Sequence, residues 1–326
     1  MKNIIIIFVI VIFCYSCNNS KDKTKYLPES LSKPSEVLFI VEKSQWDSEI
    51  GKIIKDNFTQ SFKGIPQDEP IFDIIHVKKS SFKNLFTKYK NIVIINIDNN
   101  IVEGITIHEN VWARPQVVVD VKCKNEANCI TVLKSKINYI IDVLYKKSMQ
   151  NLSYSYKKKN DDLIKEKIKK CHNIELSIPK GFVVHDNLKE EKFSWLSFEP
   201  QEISQGIIIY EFKLTNQNIT KELLINKRDS VLKKYIASQR PNSYMKTTLP
   251  EIINLDSIKI ENNDTYIMRG LWSVENDFMG GPFINYTFLD KKNNRVLVID
   301  GYVYAPSKNK RDYVKQLEAI INTIKF

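Results

Sequence analysis

Glycine is scarce, with nine in 326 residues. None of the nine falls in a Gly-rich phosphate cradle, so a dinucleotide fingerprint or a P-loop is excluded. No serine sits in a Gly-x-Ser-x-Gly elbow. Histidine is scarcer still: His76, His108, His172 and His185, with no pair at i, i+4 and no His-Glu-x-x-His. His76 lies in an apolar strand and reads as a satisfied core or edge histidine. Five cysteines are too few for a disulfide scaffold, and no Cys-x-x-Cys supports a zinc or thioredoxin-type site. Cys171 and His172 are adjacent and could pair as nucleophile and base on paper, but adjacent side chains take opposite faces of a strand or diverge by about 100° on a helix, which argues against it. Neither a metal nor a cofactor is expected. The marked apolar run, Ile4 to Phe13, is ten residues long, half of the roughly 20 that a spanning helix needs.

That run has a different meaning. It follows Met1-Lys2-Asn3 and ends at Ser16-Cys17. A short basic start, an apolar stretch and a small residue form a secretory signal. A small residue directly before cysteine is the ending of a bacterial lipoprotein signal, in which the thiol is diacylated, the chain cut before it and the new amine acylated. Residues 1–16 read as the signal peptide and Cys17 as the lipid attachment site. One acyl chain holds a protein marginally and two or more hold it stably. Release by ordinary signal peptidase, an uncleaved anchor and a buried strand are the alternatives. Residues 17–35 lack apolar periodicity, carry Pro28 and Pro34, and read as a flexible tether.

The net charge is +11, unevenly placed: residues 146–170 hold nine lysines against Asp161, Asp162 and Glu166. Export argues against nucleic acid as partner. A solvated helical face, or a contact of Lys157–Lys159 with anionic headgroups or lipopolysaccharide, remains.

Beyond the tether, strands and helices alternate. Glu36–Glu42, Phe72–Val77, Asn91–Ile97 and Val111–Lys122 read as strands. Trp46 to Phe62, Phe82 to Tyr89 and Ile130 to Leu144 carry apolar residues at helical spacing. This is an α/β N-terminal domain, residues 36–150. Residues 151–173 read as a basic helical linker. Residues 174–326 change pattern: short strands, a helix near Thr220–Tyr235, three longer strands and a last helix over Tyr313, Leu317, Ile320, Ile321 and Ile324. That order is an α+β domain, an antiparallel sheet with helices, in the layout of the PsbP/Mog1 type. Cys123 and Cys129, six apart, could form a disulfide in an oxidising periplasm or stay as two thiols.

The block of greatest interest is Arg269–Phe283. Trp272, Glu275, Asp277, Phe278 and Met279 crowd a loop closed by Gly280-Gly281-Pro282. The two glycines permit positive φ or close approach of another backbone. An aromatic and carboxylate loop can stack on a sugar or hold a peptide; Asp277 and Glu275 could also act as an acid/base pair. A hairpin that seals the sheet is the plain alternative. Arg269 alternates with Ile267 and Leu271, so it needs a carboxylate if buried, with Glu275 or Glu211 as partners. Trp112 and Arg114, in Val-Trp-Ala-Arg-Pro-Gln, form a turn or the lip of a groove, since Pro115 holds Arg114 extended.

At EVLFIVEKSQWDSEIG, VWARPQ, QEISQGIIIYEF, KRDSVLKKY and RGLWSVENDFMGGPFINYTFLD the chain resembles the domain-of-unknown-function family 4837 of Bacteroidota lipoproteins. The likeness runs from about residue 28 to the C-terminus, with ENDFMGGPF its most specific part. The resemblance implies a lipid-anchored envelope protein with no assigned activity and no established catalytic residues. It further implies the outer membrane. Asn18-Asn19-Ser20-Lys21-Asp22-Lys23 departs from the acidic run of surface-exported members, which favours the periplasmic side. The expectation is therefore a binding or scaffolding module held in the cell envelope, working through the cleft between its two domains on a protein, glycan or lipopolysaccharide partner. An enzyme acting on envelope carbohydrate or peptide through Asp277 and Glu275 is the alternative.

Overall fold

Two sheets, joined by one long helix, organise the chain. The computed structural model describes residues 26–213, 218–236 and 240–326; the expected signal peptide, Cys17 and the first part of the tether lie outside the described residues.

The first sheet contains β1 (Glu36–Ile40), β2 (Asp73–Val77), β3 (Asn91–Ile97), β4 (Gly104–Glu109) and β5 (Val117–Cys123) in the order β2-β1-β3-β5-β4. All pairs are parallel except β4 with β5. Near-continuous apolar strands such as Val37-Leu38-Phe39-Ile40 are what a sheet covered on both faces requires. On one face Val37, Phe39, Val93 and Val119 pack under α1 (Glu49–Phe58) and α2 (Glu126–Lys158). Ser48 and Asn125 start those helices by accepting from Ile50 N–H and Asn128 N–H. On the other face Leu38, Ile40, Ile92 and Val118 pack with Phe82, Phe86 and Trp112. The helix expected over Phe82–Tyr89 is corrected: Lys79–Ser81 and Asn84–Lys88 are short 3₁₀ turns, and Leu85 is exposed.

The tether is corrected in part as well. Arg114 N–H donates to Pro28 O (2.8 Å), Ser30 N–H to Arg114 O (3.2 Å) and Leu31 N–H to Lys88 O (3.0 Å). Lys90 N–H and the Asn91 amide bond Ser32 Oγ and Pro34 O. The chain is thus fixed to the first domain from Pro28 onward. Trp112 meets Phe82 edge to face at 5.2 Å, and the Arg114 backbone receives the incoming segment at an isolated bridge to Glu29 while its side chain stays exposed.

α2 runs 33 residues, about 50 Å. It passes straight through the expected boundary at residue 150, and its second half packs on the C-terminal domain, with Ser153 Oγ donating to Ala319 O (2.7 Å). α3 (Asp162–His172) follows, capped by Asp161.

The second sheet is antiparallel throughout. Its strands are β6 (Val183–Leu188), β7 (Phe193–Phe198), β8 (Ser204–Phe212), β9 (Met245–Thr248), β10 (Asn254–Ile260), β11 (Asn263–Val274), β12 (Gly280–Asp290) and β13 (Arg295–Tyr304), ordered β10-β11-β12-β13-β8-β7-β6 with β9 on the far end of β11. α3, α5 (Arg311–Ile321) and the end of α2 cover one face over Ile207, Ile284, Leu297 and Ile299. α4 (Lys221–Tyr235) covers the other over Ile208, Phe283 and Val298. Two sheet-rich domains with helices, the second antiparallel, match the expected fold class.

Candidate functional site

β11 divides the residues that the sequence grouped. Side chains alternate along a strand, so Arg269 goes to the α5 face and Trp272 to the α4 face. The two do not share a site.

On the α4 face a cavity of about 890 Å³ opens. Trp195, Trp272, Tyr302 and Tyr304 form its aromatic wall, with Met245 and Met279 beside them and Glu199, Glu202, Asp277 and Arg240 among the polar lining groups. The wall is fixed from behind. Trp272 Nε1–H donates to Pro282 O (3.1 Å), Trp195 Nε1–H donates to Tyr302 Oη (3.1 Å), and the Trp272 and Tyr302 rings meet edge to face at 5.6 Å. Ser197 Oγ donates to Glu199 Oε1 (2.8 Å), holding that carboxylate.

The β11–β12 loop forms part of this cavity. Val274 N–H bonds Met279 O, and Asn276 takes the left-handed turn position (φ 59°). Neither Gly280 nor Gly281 has positive φ. Gly281 answers the other requirement, close approach: an added Cβ would lie 2.0 Å from Val303 O. Asp277 lines the cavity, accepts from Phe278 N–H (2.7 Å) and lies 3.7 Å from Arg240 Nη1. Glu275 pairs with Lys246 and is not part of the lining. The two carboxylates therefore do not converge on one reacting atom. Phe278 is wholly exposed at the loop tip.

Arg269 meets neither expected partner. Its Nη2–H donates to Glu318 Oε1 on α5 (2.6 Å), which also accepts from Tyr286 Oη (2.8 Å), while Tyr145 Oη of α2 donates to Glu318 Oε2 (2.6 Å). Burial and the Glu318 charge push the Tyr145 and Tyr286 hydroxyls well above their ordinary range. Nearby, Glu69 of the first domain caps α5, accepting from Lys310 N–H (2.6 Å) and Arg311 N–H (3.0 Å), and the Arg311 guanidinium is bidentate on Asp73 (2.8 and 3.2 Å). The junction expected as an open binding cleft is occupied by this latch. Two cavities flank it: about 540 Å³ beside Arg269, Asp142 and Asp256, and about 420 Å³ beside Ser35, Arg311 and Lys315.

A buried chain resembles a hydrolase triad. Ser194 Oγ lies 2.8 Å from His172 Nε2, and His172 Nδ1 lies 2.9 Å from Glu211 Oε1. Ser194 donates to Asn187 Oδ1 (2.7 Å), and Arg295 lies 2.8 Å from Glu211. Burial pulls the His172 pKa down, but hydrogen bonds that its ring donates to the Cys171 sulfur and the Glu211 carboxylate outweigh it and leave it raised. None of the three cavities is lined by these residues, and Ser194 and His172 are buried. The chain ties α3 to β7 and β8.

Cys123 and Cys129 are buried free thiols in mutual contact; the Cys123 thiol and burial push Cys129 up. Within the basic stretch Lys165 and Lys169 pair with Glu175 (3.0 and 2.9 Å) and pull its carboxyl down to about 2, whereas Lys157–Lys159 stay exposed. Among the described residues no cluster of three His, Cys, Asp or Glu could hold a metal, and no helix is long and apolar enough to cross a membrane.

A two-sheet protein with an aromatic cavity in its antiparallel half is what these elements define. The chain belongs to the family described as domain of unknown function DUF4837, whose model matches residues 161–323. Residues 30–157 match a second model, domain of unknown function DUF8532, so the family likeness covers less of the chain than its sequence blocks suggested. Among solved structures, LpqN, involved in cell envelope biogenesis of Mycobacterium tuberculosis, is similar at 10% identity over 47% of this chain and 82% of that one, with a TM-score of 0.29; a likeness at that level carries no inference. No curated protein matches the chain.

Proposed function

We propose that the protein is a lipid-anchored cell-envelope binding protein whose ligand site is the aromatic cavity of the C-terminal domain. The observation that carries the ligand site is the wall of Trp195, Trp272, Tyr302 and Tyr304 around about 890 Å³, rimmed by Glu199, Glu202 and Asp277. Its size suits a ligand of a few sugar or peptide units, and ring faces with a few polar groups are the usual make-up of such a site. The anchor rests on the sequence: signal peptide 1–16, acylated Cys17 and an address on the periplasmic side of the outer membrane. Lys157–Lys159 add a contact for anionic headgroups or lipopolysaccharide. The layout of the second sheet is read as PsbP/Mog1-like within the same proposal. Glu275 turns to Lys246 and so does not pair with Asp277 in the cavity, which favours binding over the carbohydrate- or peptide-acting enzyme that would use the two together.

Soluble peptidoglycan fragments, which carry both sugars and peptides, test the site by calorimetry. Binding is expected, and Trp195→Ala should weaken it by about 30-fold, roughly 2 kcal/mol. Unchanged affinity in that variant rejects the cavity, and turnover lost in the Asp277→Ala/Glu275→Ala double variant moves the reading to the enzyme. The anchor has its own measurement. Cys17→Ser should abolish labelling by a fatty-acid probe and shift the protein from the membrane to the soluble fraction; an unaltered distribution rejects acylation.

A further inference from the structure

The smaller junction cavity, of about 420 Å³, shares no lining residue with the aromatic site. Lys315, on α5, lines it although the residue is only 5% exposed. Its Nζ donates to Ile71 O (2.9 Å) and to Ser35 Oγ (3.0 Å), and Ser35 in turn donates to Asp312 Oδ1 (2.6 Å). Phe72 and Tyr145 hold their rings 4.7 and 5.1 Å from the same nitrogen. Two oxygen acceptors satisfy both N–H bonds of a neutral amine and leave its lone pair free, whereas an ammonium carries a third donor. The charged groups around it are Arg311, Asp312 and Glu318 on its own helix and Asp73 on β2. Arg311 engages both aspartates, and its own charge opposes their pull on the Lys315 proton. Burial, with the Arg311 charge, brings the amine down to about 7.

We propose that Lys315 is a nucleophilic amine that forms an imine with a small anionic aldehyde or ketone entering the junction cavity. A desolvated lysine beside another cation is an established way to activate this nucleophile. The Nζ lone pair attacks the carbonyl carbon to give a carbinolamine. The nitrogen proton passes by way of Ser35, backed by Asp312, to the carbinolamine oxygen, which leaves as water as the C=N bond forms. Lys33 and Lys308 line the same cavity and supply charge for the ligand's carboxylate or phosphate. The cavity volume sets the size limit, near the small end of ligand pockets.

Glyoxylate with cyanoborohydride is the probe: the amine and aldehyde condense with loss of water, and hydride from the reductant converts the imine to carboxymethyl-lysine. On the full chain at pH 7, peptide mass mapping should find the adduct chiefly at Lys315, because its neutral fraction exceeds that of an ordinary lysine by roughly 10³. The Lys315 adduct rate should rise to a plateau as pH passes about 7, while surface lysines respond only at alkaline pH. Lys315→Met should remove the adduct and leave the others. An unmodified Lys315 amid labelled surface lysines, or a Lys315 rate that climbs only at alkaline pH, overturns the proposal. Mapping of the unaltered protein decides this even if the variant fails to fold.

Discussion

Glu318→Ala should lower the unfolding free energy by about 3–5 kcal/mol, the cost of leaving a buried cation without its partner. Glu318 takes three donors at once, from Arg269, Tyr286 and Tyr145. Removing it strands a guanidinium that is under a quarter exposed and two hydroxyls with no acceptor. Tyr145→Phe removes the single bond from α2 and should cost only about 1 kcal/mol. Urea unfolding of the two variants measures the difference. Equal, small losses would mean that water replaces the carboxylate and that the latch does not hold the junction.

A loss of similar size is expected for Arg228→Ala, on the opposite face of the same sheet. Arg228 and Asp300 are both wholly buried. The guanidinium is bidentate on Asp300 (2.8 and 3.2 Å), donates to Thr247 Oγ1 (3.0 Å) and lies 3.8 Å over the Phe283 ring. Asp300 also accepts from the Asn285 amide (2.9 Å). Truncating either partner leaves a bare charge in the core, about 3–5 kcal/mol. The double variant Arg228→Met/Asp300→Leu should lose less than either single change, since desolvating the pair offsets most of its attraction. Thermal unfolding of Arg228→Met, Asp300→Leu and their combination, read as a double-mutant cycle, checks this. Additive losses would show that the pair is not the unit that anchors α4.

Much of the scaffold was legible because apolar spacing reports burial directly. Strands β1, β2, β3 and β5 of the first sheet, the helix from Ile130 and the last helix all follow from it. β4 was not legible: Gly104–Glu109 is a half-exposed edge whose Ile105 and Ile107 alternate too briefly to stand out from the polar stretch around them. The 3₁₀ turns at 79–88 carry apolar residues at helix-like intervals but cover only the edge of a core. For Arg269, alternation gave the face and the need for a carboxylate. The partner came from α5, 49 residues along the chain, a distance no local pattern bridges. Glu211, one of the expected partners, serves Arg295 and His172 instead. Lys315 was invisible for a related reason. A lysine between apolar positions on an amphipathic helix reads as solvated, but α5 is sandwiched between the sheet and α2, so both of its sides are covered.

The cap on α5 has an evolutionary consequence. The two family regions meet at a helix whose first amides are closed by a glutamate from the other region. The C-terminal region is therefore not a freely transferable module. A recombinant in which residues 161–323 are joined to an unrelated leader inherits open helix amides, an Arg311 that keeps Asp312 but has lost Asp73, and a bare flank where α2 had lain. A lineage that shuffled this region onto a new neighbour would recover about 0.5–2 kcal/mol by acquiring an acidic group at that spot.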